Sequence, residues 1–109
     1  MNAIFTRTSV RKFEDRPVEK EKIEKLLQAG FVAPSAGNQQ PWEFYIARDE
    51  TTRLALAASS PYGTPAKLAP CVIVACQRTE GLRAPQDASY DMSASVENIL
   101  IEAANLGLG

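Results

Sequence analysis

Two short segments hold most of the side chains in this chain that could do chemistry. In the first, Arg7, Arg11 and Lys12 bracket Thr8 and Ser9, so guanidinium forks, an ammonium group, hydroxyls and turn amides share one stretch. Such a set suits a phosphate, which takes bidentate charged donors and backbone N–H groups together. A hydrogen bond to a charged group is worth ~1.5–3 kcal/mol. Loss of one such arginine would therefore weaken phosphate binding roughly ten- to a hundredfold. A solvated basic turn has the same composition, and spacing alone leaves both readings open.

The second segment is Pro34-Ser35-Ala36-Gly37-Asn38-Gln39-Gln40-Pro41, uncharged and closed by proline at either end. Ser35, Asn38, Gln39 and Gln40 offer neutral donors and acceptors on a stiffened backbone. Those groups fit a heteroaromatic ring of alternating carbonyls and nitrogens, such as a flavin or a pyrimidine. An amide-rich connecting loop is the alternative. Trp42, just beyond, reads as core packing rather than a stacking platform.

Several chemistries are excluded. The chain has no histidine, which removes the commonest zinc ligand and the usual general base, and with them Ser-His-Asp and Cys-His catalysis within this chain. Cys71 and Cys76 lie five positions apart in an apolar run that reads as a strand. Their side chains would then point to opposite faces, so no disulfide is expected. Asp91 and Glu97 could be an acid–base pair, but the pattern favours a helix cap and a surface charge. No catalytic side chain and no metal site is nominated, and redox chemistry would need an imported cofactor.

These segments need elements to position them. At 109 residues the chain is one domain, with 45% hydrophobic and 23% charged residues, an ordinary globular composition. Twelve basic residues against thirteen acidic give a net charge of -1, so no general field draws it to nucleic acid or anionic membrane. It carries neither a long apolar span nor a signal peptide, which makes the cytoplasm the expected compartment.

Residues 2–7 could form a short helix. Ile23, Leu26, Leu27 and Phe31 recur at helical spacing after Pro17, with Gly30 near the end and Pro34 as the stop. Residues 42–47 alternate as a strand. Asp49 caps a helix running to about Ala58, and residues 59–65 break it. The apolar run 71–76 reads as a strand covered on both faces and central in its sheet. Residues 78–87 read as a mobile loop. A largely apolar helix follows from Ser89 to Leu106, buried in a core or a dimer interface, with Gly107 as its C-cap. Two strands are too few for a stable sheet, so the sequence is expected to stop in the middle of a fold.

Taken in order, the segments Arg7-Thr8-Ser9-Val10-Arg11-Lys12-Phe13, Ala33-Pro34-Ser35-Ala36-Gly37-Asn38-Gln39-Gln40-Pro41-Trp42, and Asn98-Ile99-Leu100 with Ala103-Ala104 and Leu106-Gly107-Leu108-Gly109 resemble the nitroreductase family of FMN-dependent oxidoreductases. The resemblance covers essentially the whole chain. It implies an α+β fold with a central, mainly antiparallel sheet flanked by helices, incomplete here at its C-terminal side. It implies a homodimer with FMN at the interface and NAD(P)H as co-substrate. Arg7, Thr8, Ser9 and Arg11 would hold the FMN phosphate and ribityl chain. Pro34, Ser35, Ala36, Asn38 and Gln40 would reach the ring from the partner subunit.

The activity implied is ping-pong electron transfer from NAD(P)H through the flavin to nitroaromatics, quinones or similar acceptors. Dehalogenation or dehydrogenation on the same fold is the alternative, or a non-catalytic dimerising module if the chain is naturally this short.

Overall fold

A computed structural model describes residues 2–109. A single turn of helix, α1 (Ala3–Thr6), is capped by Asn2, whose side chain accepts from the Ile4 N–H. After an extended stretch comes α2 (Lys20–Phe31), which buries Ile23, Leu26 and Gly30. The exposed side of α2 carries the Lys20–Glu24 pair, and Glu19, just ahead of the helix, pairs with Lys22. The loop beyond α2 contains a 3-10 turn at Ala36–Asn38 and leads into β1 (Trp42–Ala47).

The helix α3 (Glu50–Ala58) starts where expected, because the Asp49 carboxylate accepts from both the Thr52 N–H and its hydroxyl. A helix the sequence reading missed follows, α4 (Thr64–Leu68), with proline in its first turn. Proline there forfeits no intrahelical bond, so Pro65 starts a helix rather than breaking one. The two helices meet through Arg53, whose guanidinium donates to the Lys67 and Ala69 carbonyls.

β2 (Val72–Gln77) pairs antiparallel with β1, Trp42 opposite Gln77 and Ala47 opposite Val72. Paired residues share a face, so Phe44, Ile46, Ile73 and Ala75 line one side of the sheet. The expectation that β2 is central and covered on both faces is not met: among the described residues its only neighbour is β1, and its side chains stay half-exposed. Cys71 and Cys76 are free thiols.

The last helix, α5 (Ala88–Asn105), runs across that side of the sheet and against α2. Its seam with α2 is tight because Gly30 has no side chain there. A Cβ on Gly30 would lie 2.9 Å from Phe44 Cζ, 3.0 Å from Ile99 Cδ1 and 3.1 Å from Ser95 Oγ. The wholly buried Ser95 hydroxyl donates to the Gly30 carbonyl at 2.9 Å, and Asn98 donates to that of Ala29 at 3.1 Å. Ser95 and Ile99 of α5 thus meet Gly30 of α2 in a seam within the chain. The helix ends in a Schellman turn, Gly107 N–H on the Ala104 carbonyl and Leu108 N–H on that of Ala103, with Gly107 at φ +77.

Candidate functional site

The first block contributes to a groove of about 730 Å³. Arg7, Thr8, Val10 and Lys12 line it together with residues of α5 between Val96 and Ala104 and with Ile73 and Ala75 of β2. Arg7 is oriented by Glu97, its Nε 3.7 Å from the carboxylate, which leaves the terminal guanidinium nitrogens uncommitted. Glu97 is therefore the surface charge that the sequence suggested. Arg11 and Lys12 enter no ion pair among the described residues, whereas Arg16 is matched by Glu14. Ser9 and Arg11 are exposed beside the groove rather than in its lining. Two cations without an acidic partner, Arg11 making only a 3.5 Å bond to the Ser9 carbonyl, and a third held at one edge make a set able to take an anion.

The second block is built quite differently. Gly37, Asn38 and Gln40 all have positive φ, +57, +54 and +48. Glycine and asparagine enter this region readily, but a glutamine held there costs on the order of 1–3 kcal/mol, so at Gln40 the surroundings impose the shape. Those surroundings are clear. Gln39 is buried at 7% exposure between its two exposed neighbours. Its amide donates to Asp91 Oδ2 at 2.6 Å and to the Ala84 carbonyl at 2.9 Å, while its oxygen accepts from the Ala84 N–H at 2.9 Å.

Asp91, itself 6% exposed, accepts from the Ala36 N–H at 2.9 Å with its other oxygen. Arg78 closes the far side, donating to the carbonyls of Gln39 and Gln40 at 2.9 and 3.0 Å. Two hydrogen bonds to a carboxylate, each worth ~1.5–3 kcal/mol, are enough to offset the strain.

Three readings of the sequence change as a result. Gln39 offers nothing to a ligand, since every polar atom of its side chain is engaged inside the protein. Asp91 is not the helix cap, a place taken by Asp87, but the buried anchor of a loop far away in sequence. The segment 78–87, expected to be a mobile loop, holds a 3-10 turn at Pro85–Asp87 and is tied to the second block through Arg78 and Ala84. What remains for a ligand is the outward set. Asn38 and Gln40 side chains make no hydrogen bond among the described residues, and the Ser35 hydroxyl, which accepts from the Gln40 N–H at 3.0 Å, keeps its own proton to donate. Pro34 is exposed and Ala36 half-buried beside them.

No residue from 34 to 41 lines the groove beside Arg7. Other chemistry finds little support. Burial pushes the Cys71 thiol pKa up despite nearby Arg48 and Arg53, the opposite of an activated nucleophile. Among the described residues no group of His, Cys, Asp and Glu could hold a metal ion, and no helix is long and apolar enough to cross a membrane.

The sequence profile of the nitroreductase family matches residues 4–67, a stretch that includes both blocks. The chain belongs to the nitroreductase family. A protein of Archaeoglobus fulgidus, provisionally named an NADH dehydrogenase/NAD(P)H nitroreductase, is 39% identical over 100% of this chain and 63% of its own length. A provisionally named NADH oxidase of Clostridium acetobutylicum superposes with a TM-score of 0.93 at 46% identity, covering 95% of this chain and 63% of that one. A provisionally named nitroreductase from Desulfovibrio desulfuricans, solved in complex with FMN, superposes with a TM-score of 0.89 at 32% identity, over 95% of this chain and 61% of that one. The nitroreductase fold expected from the sequence is the fold of the chain. The chain spans about 63% of the length of the first relatives it matches.

Proposed function

We propose that this chain supplies the cofactor-holding part of an FMN-dependent oxidoreductase that uses NAD(P)H. The observation that carries the reading is the second block: a strained loop, locked from inside, that leaves neutral amides facing outward. Such a loop is expensive to keep unless the outward groups have work to do. Neutral donors and acceptors in fixed places suit the edge of a flavin ring, which presents carbonyls and ring nitrogens in alternation. The first block complements it with the cations that a phosphate requires.

In this reading Arg7 and Arg11, with Thr8 and Ser9, hold the FMN phosphate and ribityl chain. Glu97 pairs with Arg7 through Nε and leaves its terminal nitrogens to the phosphate. Asn38 and Gln40, with the Ser35 hydroxyl and the backbone at Pro34 and Ala36, fix the ring. When bound, FMN would accept a hydride from NAD(P)H and pass the electrons to a nitroaromatic, quinone or similar acceptor. The residues of this chain bind and orient; none is required to move a proton.

Because no residue of the second block lines the groove beside Arg7, this reading draws the second block from another copy. A homodimer with FMN at the interface satisfies this. The exposure of Ile4 at 62% and Phe5 at 82%, next to the first block, supports such a partner surface.

The test is direct. The full natural polypeptide carrying this sequence, purified without added cofactor, is expected to be yellow or to become so with FMN, and to oxidise NADH or NADPH when an acceptor is supplied. A colourless protein that takes up no FMN contradicts the proposal.

A further inference from the structure

The Asp91 carboxylate has no place in the functions assigned so far, yet it is one of the few buried polar groups of the chain. It lies in the first turn of α5 and reaches two points of the loop at once, the Ala36 N–H and the Gln39 amide. These flank the residues of positive φ at 37 and 38. We infer that Asp91 is a positioning residue: through Gln39 it holds the 35–40 loop in its strained shape, so that Asn38 and Gln40 present their amides to the flavin ring. The inference rests on the proposed flavin site and says what preorganises it.

Three features carry it. Gln39 separates Asn38 from Gln40, and burying its side chain turns its two neighbours out. The backbone cannot relax while Ala36 and Gln39 are both held, because Asp91 takes one with each oxygen. Gln39 cannot switch partners by an amide flip, since its oxygen already serves the Ala84 N–H and its nitrogen the Ala84 carbonyl. An amide at position 91 has only one acceptor oxygen, so its N–H₂ would face either the Gln39 N–H₂ or the Ala36 N–H, and Asp91→Asn breaks one half of the lock with almost no change in shape. Ligand groups held in advance save the ordering that binding would otherwise require.

Two readouts on the full natural polypeptide test this, with Ser95→Ala as the control. Ser95 sits on the same helix but bonds to Gly30, away from the loop, so its loss reports general destabilisation of α5. The first readout is amide hydrogen exchange at Ala36 and Gln40 in the cofactor-free protein, which is expected to speed up at least tenfold in Asp91→Asn and to stay within twofold of wild type in Ser95→Ala. The second is affinity by flavin fluorescence quenching, with FMN and with riboflavin, which lacks the phosphate. Asp91→Asn is expected to weaken both ligands by a similar factor of about ten, equivalent to about 1.4 kcal/mol, because the ring contact is common to them.

Asp91→Ala serves as a second variant, with the same direction expected. If wild type binds flavin and Asp91→Asn binds it equally well, or no worse than Ser95→Ala does, the positioning role is overturned while the flavin site stands. If wild type binds neither FMN nor riboflavin, the flavin site itself falls and the positioning role with it.

Discussion

The side-chain amide of Gln39 donates to Asp91 Oδ2 at 2.6 Å, joining the loop after α2 to the start of α5 across 52 positions of sequence. This one bond decides which amides of the loop belong to the protein and which are free for a ligand. It also makes Gln39 a stability residue. Gln39→Ala would strand the Ala84 N–H and carbonyl and one oxygen of Asp91 in a part-buried site. Each unsatisfied group costs ~1–3 kcal/mol, so a loss of about 2–4 kcal/mol is expected by chemical denaturation, water partly replacing the lost partners. A variant within about 0.5 kcal/mol of wild type, the range of ordinary surface substitutions, contradicts the anchoring.

Gly30→Ala tests the seam between α2 and α5. The added methyl meets Phe44, Ile99 and Ser95 within 3.1 Å. Overpacking of this kind costs ~1–3 kcal/mol, more than the gain of up to ~1 kcal/mol from replacing a helical glycine. A net loss of about 1–2 kcal/mol in urea denaturation is expected, and a more stable variant would show that the helices can separate without penalty.

The cap of α3 gives a pH signature. Hydrogen bonds from the Thr52 side chain and backbone hold the Asp49 carboxyl below its usual value of 3.8. A carboxyl whose folded pKa is depressed stabilises the fold above its unfolded pKa and loses that contribution as pH falls through the folded value. Wild type is therefore expected to be more stable than Asp49→Ala at neutral pH, with the difference in thermal midpoint shrinking below about pH 3.8. A difference that is constant with pH would assign the stabilisation to something other than the charged cap.

Local patterns carried much of this structure. The alternation of Trp42–Ala47 marks β1 to the residue, Asp49 marks the start of α3, and Gly107 marks the end of α5. Each depends on neighbours within a few positions. Helix α4 was hidden because Pro61, Gly63 and Pro65 look like breakers, although proline in a first turn is harmless. The half-exposed faces of β2 could not be read from an apolar run, since burial depends on what else covers the strand.

The proposed site splits along the same line. Its two blocks were visible as composition, and the family resemblance joined them. Which glutamine faces inward was not visible, because Gln39 and Gln40 differ only in what lies across from them. Asp91 carried no local signal beyond its place in a helical first turn. A polar residue at a position where α5 packs inward would have been the one available hint.

The central claim is that the first block holds the phosphate of FMN. It is tested most directly by titrating FMN and riboflavin into wild-type full-length protein and into Arg7→Ala, following flavin fluorescence. Wild type is expected to prefer FMN to riboflavin by tenfold or more. Arg7→Ala should lose roughly ten- to a hundredfold in FMN affinity, from one charged hydrogen bond of ~1.5–3 kcal/mol, with riboflavin nearly unaffected. Equal affinities for the two flavins in wild type, or an Arg7→Ala variant that keeps its preference for FMN, would contradict it.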